Sequence, residues 1–278
     1  MQLKKALPQG RTYEQVKNHY LVEKSIAEKI KQSKREERKL IYATMYGSLL
    51  RQVPDHPRLT RRGDAPLLLR EVRSKLVLVK RFLRPSSTFV EFAPGDCRFS
   101  MAVAKYVKRV WGVDISDQSI RSAKAPDNFR LIVYDGYTLE GIEEGSVDVI
   151  FSDQLIEHIH PEDTQLHFEL AYRLLKEQGV YVFRTPHSFS GPHDISQYFS
   201  DEPQGFHLKE WTYRELKPLL KKAGFSRMNS YGQVKGVLFR TPYAGIELCE
   251  RGLGVFPKRV IRMVAKYLIP SIDIVAMK

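Results

Sequence analysis

Thr88 to Ser116 reads TFVEFAPGDCRFSMAVAKYVKRVWGVDIS. It opens on a short apolar run, Phe89-Val90-Glu91-Phe92, with the composition of a buried strand. Ala93-Pro94-Gly95-Asp96-Cys97 then forces a tight turn, and Met101, Ala102, Ala104 and Tyr106 follow as a helix. A second strand, Val110-Trp111-Gly112-Val113, ends on Asp114. The unit is βαβ, with a small-residue turn at the first strand tip and a carboxylate at the second. Small residues let backbone approach a ligand closely. A carboxylate after the second strand accepts both hydroxyls of a ribose.

A dinucleotide site asks for G-x-G-x-x-G ahead of a helix N-terminus. Here the pattern is Glu91-x-Ala93-x-Gly95-x-Cys97. Its acidic first position suits a ligand with a positive end, such as the ammonium and sulfonium of S-adenosylmethionine. The stretch resembles motif I of class I S-adenosylmethionine-dependent methyltransferases, acidic-x-Gly-x-Gly-x-Gly, with Ala93 and Cys97 standing at two glycine positions. An ordinary α/β crossover shares the strand–turn–strand order, so the rest of the chain decides between the two.

Moving outward, Phe129–Tyr134 reads as a third strand with Asp135-Gly136 at its tip, after a helix near Gln118–Lys124. Val147-Asp148-Val149-Ile150-Phe151 is a fourth strand, followed by Ser152-Asp153-Gln154-Leu155-Ile156-Glu157-His158. A helix opens at Pro161, repeats Leu166, Leu170 and Leu174, and is expected to stop at Gly179. Val180–Phe183 is a fifth strand, and Thr185 to Asp194 a long loop at the same sheet edge. Thr212 and Glu215 form a capping box for a helix ending at Gly224. Phe225–Tyr231 and Ile272–Met277 complete the strands. Alternating strands and helices predict a doubly wound α/β sheet. Several motif sites in family order extend the resemblance over Thr88–Lys278.

The resemblance implies the class I methyltransferase fold: a doubly wound, seven-stranded, mostly parallel sheet with S-adenosyl-L-methionine as cofactor. It assigns Glu91 to the turn and the ammonium side, and Ala93, Gly95 and Asp96 to the methionine part. Asp114 takes the ribose hydroxyls, Ile115 covers the adenine, and Asp135 and Gly136 read its edge. Asp153 and Gln154 face the methionine end or the acceptor.

Ahead of Thr88 the chain reads as helices over Tyr13–Lys34, Glu36–Leu50 and Leu67–Leu83, with a turn at Arg61–Pro66. Val16, Tyr20, Glu23, Ala27 and Ile30 stripe the first. Leu40, Ile41, Tyr42, Met45 and Leu49 are expected inward on the second. The expected division is a helical cap over 1–84 and a cofactor-binding domain over 85–278, with substrate-loop insertions near 186–210 and 232–256. Such a cap offers Tyr13, His19, Tyr20, Tyr42 and Tyr46 as acceptor contacts.

Met1 to Arg84 carries 21 Lys+Arg against 8 Asp+Glu, and the remainder 24 of each, so the whole net charge of +13 sits in the cap. The cations are spread along helices rather than clustered, as on a solvated surface. Two cysteines make neither a disulfide framework nor a zinc cluster. The N-terminus has no signal-peptide core and no run is long enough to span a membrane. A cytoplasmic protein is expected.

A hydroxyl acceptor calls for a base, and histidine suits neutral pH. His193, beside Asp194, is the first candidate, then His187 and His158. Ubiquinone-pathway O-methyltransferases carry a magnesium-holding Glu-x-x-Glu-His where this chain has Gln154-x-x-Glu157-His158, so no metal is expected. Arg251 to Lys266 holds five cations and no acid, with Val260, Ile261, Val264 and Tyr267 apolar. This basic amphipathic helix packs on the domain or touches a membrane surface. The expected activity is O-methylation of a sugar or other small hydroxylated molecule. The rivals are an RNA methyltransferase using the basic segment, for which no RNA-binding motif is evident, and a non-catalytic cofactor-binding or partner-binding protein. Nucleic acid is not the expected partner.

Overall fold

The computed structural model describes residues 1–60, 65–117, 125–234 and 237–278. The expected helix near Gln118–Lys124 and most of the expected turn, 61–64, lie outside the described residues. The strands are β1 (Thr88–Phe92), β2 (Arg109–Asp114), β3 (Phe129–Val133), β4 (Val147–Asp153), β5 (Leu175–Pro186), β6 (Arg227–Val234), β7 (Val237–Thr241) and β8 (Ser271–Met277). They form one sheet in the order β3-β2-β1-β4-β5-β8-β6-β7. The strands from β3 to β5 in that order are parallel, while β8 runs antiparallel to β5 and to β6. Seven strands were expected; β7, antiparallel to β6 on the sheet edge, is the eighth.

Alternation along the strands explains the layers. Val90, Phe92, Ile150, Tyr181, Phe183 and Ile274 point to one face, where they meet α6 (Thr164–Leu174), α7 (Tyr213–Ala223) and α8 (Tyr243–Leu253). Phe89, Val149, Phe151, Val182 and Val275 point to the other, against α4 (Ala65–Val79) and α5 (Arg98–Val103). Both faces are covered, as a parallel sheet requires.

At the N-terminus, α1 (Tyr13–Gln32) starts at the Thr12–Gln15 capping box and buries the expected stripe. In α2 (Arg35–Gln52), the buried stripe is Arg38, Tyr42, Met45 and Leu49. Leu40 is 73% exposed, correcting the inward expectation. Two residues along a helix turn through ~200°, so Leu40 and Tyr42 cannot share a face. These helices bury Ile26, Ile30, Met45 and Leu49 against Phe206 and Leu208 of the loop after β5.

Two boundaries differ. Helix α6 ends at Leu174, not Gly179, because Leu175 already pairs with Val147 in the sheet. The stretch expected as an insertion near 232–256 holds the end of β6, β7 and α8. At the C-terminus, α9 (Lys258–Leu268) leads into β8. No helix among the described residues is long and apolar enough to cross a membrane.

Candidate active site

The turn after β1 holds Ala93 at φ 54°, Gly95 at 56° and Cys97 at 63°. All three are left-handed, a conformation that disfavours a residue with a Cβ by ~1–2 kcal/mol. The turn thus keeps a glycine-type backbone where only Gly95 is glycine. A Cβ on Gly95 would lie 2.8 Å from Nη2 of Arg58, so the close approach there is real. Gly95 N–H donates to Asp114 Oδ2 at 3.2 Å, and Ser116 N–H to its Oδ1 at 3.3 Å. Burial raises the Asp114 carboxyl above its ordinary value.

Beyond this turn lies a cavity of about 630 Å³ along the carboxyl ends of the strands, within the ~300–1,000 Å³ range of small-molecule sites. Of the residues named from sequence, Ala93, Gly95, Asp96, Asp114, Ile115, Gly136, Asp153, Gln154 and His158 line it. Tyr42 and Tyr46 line it too, whereas Tyr13, His19 and Tyr20 do not. The left-handed turn, the buried Asp114 and the volume fit S-adenosylmethionine.

Four named residues are placed elsewhere. Glu91 is buried under the turn, where Oε2 accepts the Ser100 hydroxyl at 2.5 Å and burial pushes the carboxyl up to about 7. It pins α5 to β1 and does not line the cavity. Asp135 turns its Oδ1 onto the N–H groups of Tyr137 (2.8 Å) and Thr138 (2.6 Å) and its Oδ2 towards Lys39 (3.4 Å). Burial opposes it, yet these partners hold Asp135 below the usual carboxylate range. It therefore closes the turn, and Gly136 alone of the pair reaches the cavity.

His187 and His193 are likewise absent from the lining. His187 is 0% exposed; its Nε2 meets Glu250 Oε1 at 2.8 Å and its Nδ1 accepts Phe189 N–H at 3.1 Å. His193 holds Glu210 Oε2 through Nδ1 (3.2 Å) and the Ser190 hydroxyl through Nε2 (3.0 Å). Both rings order the loop after β5, with both nitrogens already engaged.

His158 differs. Its Nδ1 lies 2.8 Å from Phe206 O, so Nδ1–H is donated there and Nε2 keeps its lone pair. Burial, then the His207 charge, pushes it down to about 3, so it is neutral across the working range. Beside it, at a ring distance of 5.0 Å, is His207. Burial opposes its charge, but the Glu210 carboxylate, 2.7 Å from Nδ1, and Glu157 raise it to about 9. Glu157 Oε2 accepts from Thr185 at 2.9 Å, while its buried Oε1 has no hydrogen-bond partner. Burial pushes Glu157 up to about 7. The donor atoms of Glu157, His158 and His207 lie within 4.8 Å of one another. Both imidazoles have Nδ1 fixed by an acceptor, an arrangement suited to a borderline cation.

A second such group, His19, Glu23 and His56, is internally satisfied. Arg11 donates to Nδ1 of His19, and the Arg58 N–H to Nδ1 of His56. Each ring therefore presents Nε2–H towards Glu23 rather than a lone pair. Glu23 also accepts Phe206 N–H at 3.1 Å, tying α1 to the loop after β5.

Several lining residues escaped the sequence reading. The sequence assigned no site role to His56, Pro57 or Arg58, yet all three line the cavity. Arg58 stacks its guanidinium 4.9 Å from the Tyr46 ring centre. Lys75, on α4, lies 3.1 Å from Asp153, which Arg184 also grips at 2.8 Å through two nitrogens. Despite burial, Lys75 and Arg184 hold Asp153 below the usual carboxylate range. The only sequence signal for Arg58 was a cation in a proline-flanked turn, which is common on surfaces.

Residues 90–183 match the family described as "Methyltransferase domain". A probable S-adenosylmethionine-dependent methyltransferase of Mycolicibacterium smegmatis is 28% identical over 137 residues, 48% of this chain and 50% of that protein. The aligned part thus spans half the length of that relative. A solved S-adenosylmethionine-dependent methyltransferase from Archaeoglobus fulgidus superposes with a TM-score of 0.51 at 17% identity, covering 75% of this chain and 94% of that one. A chain of the complex between the Haloferax volcanii Trm112 methyltransferase activator and the putative methyltransferase gives 0.53 at 17% identity, over 74% and 88%. At these identities the structural likenesses establish the fold.

Proposed function

We propose, from the premise that this chain is a class I S-adenosylmethionine-dependent methyltransferase, that it methylates a hydroxyl of a sugar or other small molecule and that His158 receives the acceptor's proton. When bound, S-adenosylmethionine supplies a methyl group activated by its sulfonium. Asp114 takes the ribose hydroxyls, and the turn at Ala93–Asp96 lies against the methionine part. Arg58 stands beside Gly95 as the partner for an anionic group. Ile115 and Tyr46 wall the cavity against water.

The observation that carries the reading is the orientation of His158: Nδ1–H is spent on Phe206 O, and Nε2 is left with a lone pair on a ring that lines the cavity. A base held down to about 3 suffices, because a hydroxyl oxygen turns strongly acidic as it acquires a second carbon. The protonated ring would sit beside the cationic His207, which favours rapid release of the proton. His158→Ala is expected to lower turnover ~10²–10⁴-fold, the range of a positioned general base, with S-adenosylhomocysteine affinity almost unchanged. Near-normal turnover on the best acceptor of a hydroxylated panel would remove His158 from this role.

One observation favours a second reading. The unpartnered Glu157 Oε1, with His158 and His207, makes a donor set that a divalent cation would accept. In that reading Glu157, His158 and His207 would hold the cation, which would supply a Lewis acid for the acceptor hydroxyl, and His158 would be a ligand rather than a base. Exhaustive chelation separates the two. The base reading expects undiminished turnover; loss, with recovery on adding one divalent metal, selects the cation.

A further inference from the structure

Helix α9 buries only Ile261 and Ala265, plus Ile269 just past its end. Its outer side carries Val260, Met263 and Tyr267, spaced by three and four residues, so they form one stripe, and Phe256 is exposed just ahead of the helix. Met263 is 62% exposed and Tyr267 86%, and Val255 ahead of the helix and Leu268 at its last residue are exposed as well. Isolated exposed apolar residues are ordinary, but six between Val255 and Leu268, three of them on one edge of one helix, are not.

The flanks are cationic. From Arg251 to Ile272 there is no Asp or Glu, against Arg251, Lys258, Arg259, Arg262 and Lys266. Two acids face the helix from the loop after β5. Asp201 pairs with Arg262 and Lys4, and Glu202 with Lys258. Arg251, Arg259 and Lys266 have no ion-pair partner among the described residues, and Lys5 adds a further cation beside Arg262 and Lys266. Helix α9 then delivers the chain to Ser271, which pairs with Pro186 at the carboxyl tip of β5. The C-terminal end of α9 therefore lies near the carboxyl end of β5.

We propose that the outer face of α9 docks on the interfacial layer of a membrane bearing anionic lipids. An apolar stripe with aromatic residues, edged by unpaired cations and lying on a helix ~16 Å long, has the form of an in-plane interfacial helix. Each cation near an anionic surface adds ~1 kcal/mol. A second copy of the chain fits worse, since a two-fold contact through this stripe would bring the Arg259 and Lys266 of one copy close to those of the other. The inference is independent of the reaction assigned above, and its test reads no turnover.

The test is co-sedimentation of the full chain with vesicles of phosphatidylcholine alone or mixed with phosphatidylglycerol. Wild type is expected to partition at least tenfold more onto the mixed vesicles, and less as salt rises. Met263→Asp/Tyr267→Asp and Arg259→Glu/Lys266→Glu are each expected to reduce this by about tenfold or more while melting as the wild type does. Wild type that stays in the supernatant with both vesicles overturns the proposal, as does binding that survives both double substitutions. A wild-type dimer that Met263→Asp/Tyr267→Asp disperses would also overturn it, assigning the stripe to a second copy.

Discussion

Ala93, Gly95 and Cys97 share one backbone conformation and differ in what it costs them. Ala93 bears a Cβ at φ 54°, and Gly95 at φ 56° has Arg58 where a Cβ would go. Ala93→Gly relieves ~1–2 kcal/mol of left-handed strain and returns ~0.4–1 kcal/mol of unfolded-chain entropy, so stability should rise by roughly 0.5–1 kcal/mol. Gly95→Ala should fall by ~1–2 kcal/mol and displace Arg58. Urea midpoints of the two variants check this, and the reverse ranking would refute the assignment. Letters alone showed two departures from a glycine pattern. They could not show that the conformation survives, because φ at Ala93 is imposed by the strand tip: Ala93 N–H is held by Val113 O at 2.8 Å.

Between elements, Asp163, just ahead of α6, is the peg on which α2 hangs. Tyr137 donates to its Oδ2 at 2.7 Å. Arg38 Nε lies 3.0 Å from the same oxygen, a contact that is ionic because the N–H is not aimed along it. Arg35 reaches Oδ1 at 3.3 Å. Arg38 and Asp163 are both nearly enclosed. Arg38→Met should therefore cost ~3–5 kcal/mol by leaving a buried carboxylate short of its partner, whereas Lys29→Ala on the exposed side of α1 should stay within ~0.5 kcal/mol. Equal small losses in urea titrations would show that the helices are held by packing alone. Sequence periodicity placed α1, β1, β2, β4 and α7 well, since each has a clean stripe, alternation or capping box. It could not foresee the end of α6, where sheet pairing of Leu175 outcompetes a helix with no stop signal before Gly179, nor Arg38, whose charge disguised an inward position.

Across the whole molecule, the loop after β5 is folded back by partners far away in sequence, and this rearranged the candidate bases. Glu250 of α8 captures His187 and Glu210 captures His193, while Phe206 O orients His158. Contacts over such separations leave no periodic trace, so the histidine ranking could not be read from order along the chain. The same loop sets a pH dependence. His207 rises from 6.5 to about 9 in the fold. Its contribution is complete below about 6.5 and is gone once pH passes about 9. Glu157 and Glu91, each pushed up to about 7, act in the same sense at lower pH. Urea stability should thus fall by ~1–2 kcal/mol between pH 7 and 9, and His207→Gln should flatten that slope. An unchanged slope in the variant would assign the titration elsewhere. We propose above all that the cavity beyond β1 and β2, which Asp114 lines, holds S-adenosylmethionine through that carboxylate. Calorimetric titration with S-adenosylhomocysteine tests it most directly. One site should be seen on the wild type, weakened by ~1–3 kcal/mol in Asp114→Ala through lost charge-assisted hydrogen bonds. No binding to the wild type, or equal affinity in the two proteins, would contradict the account.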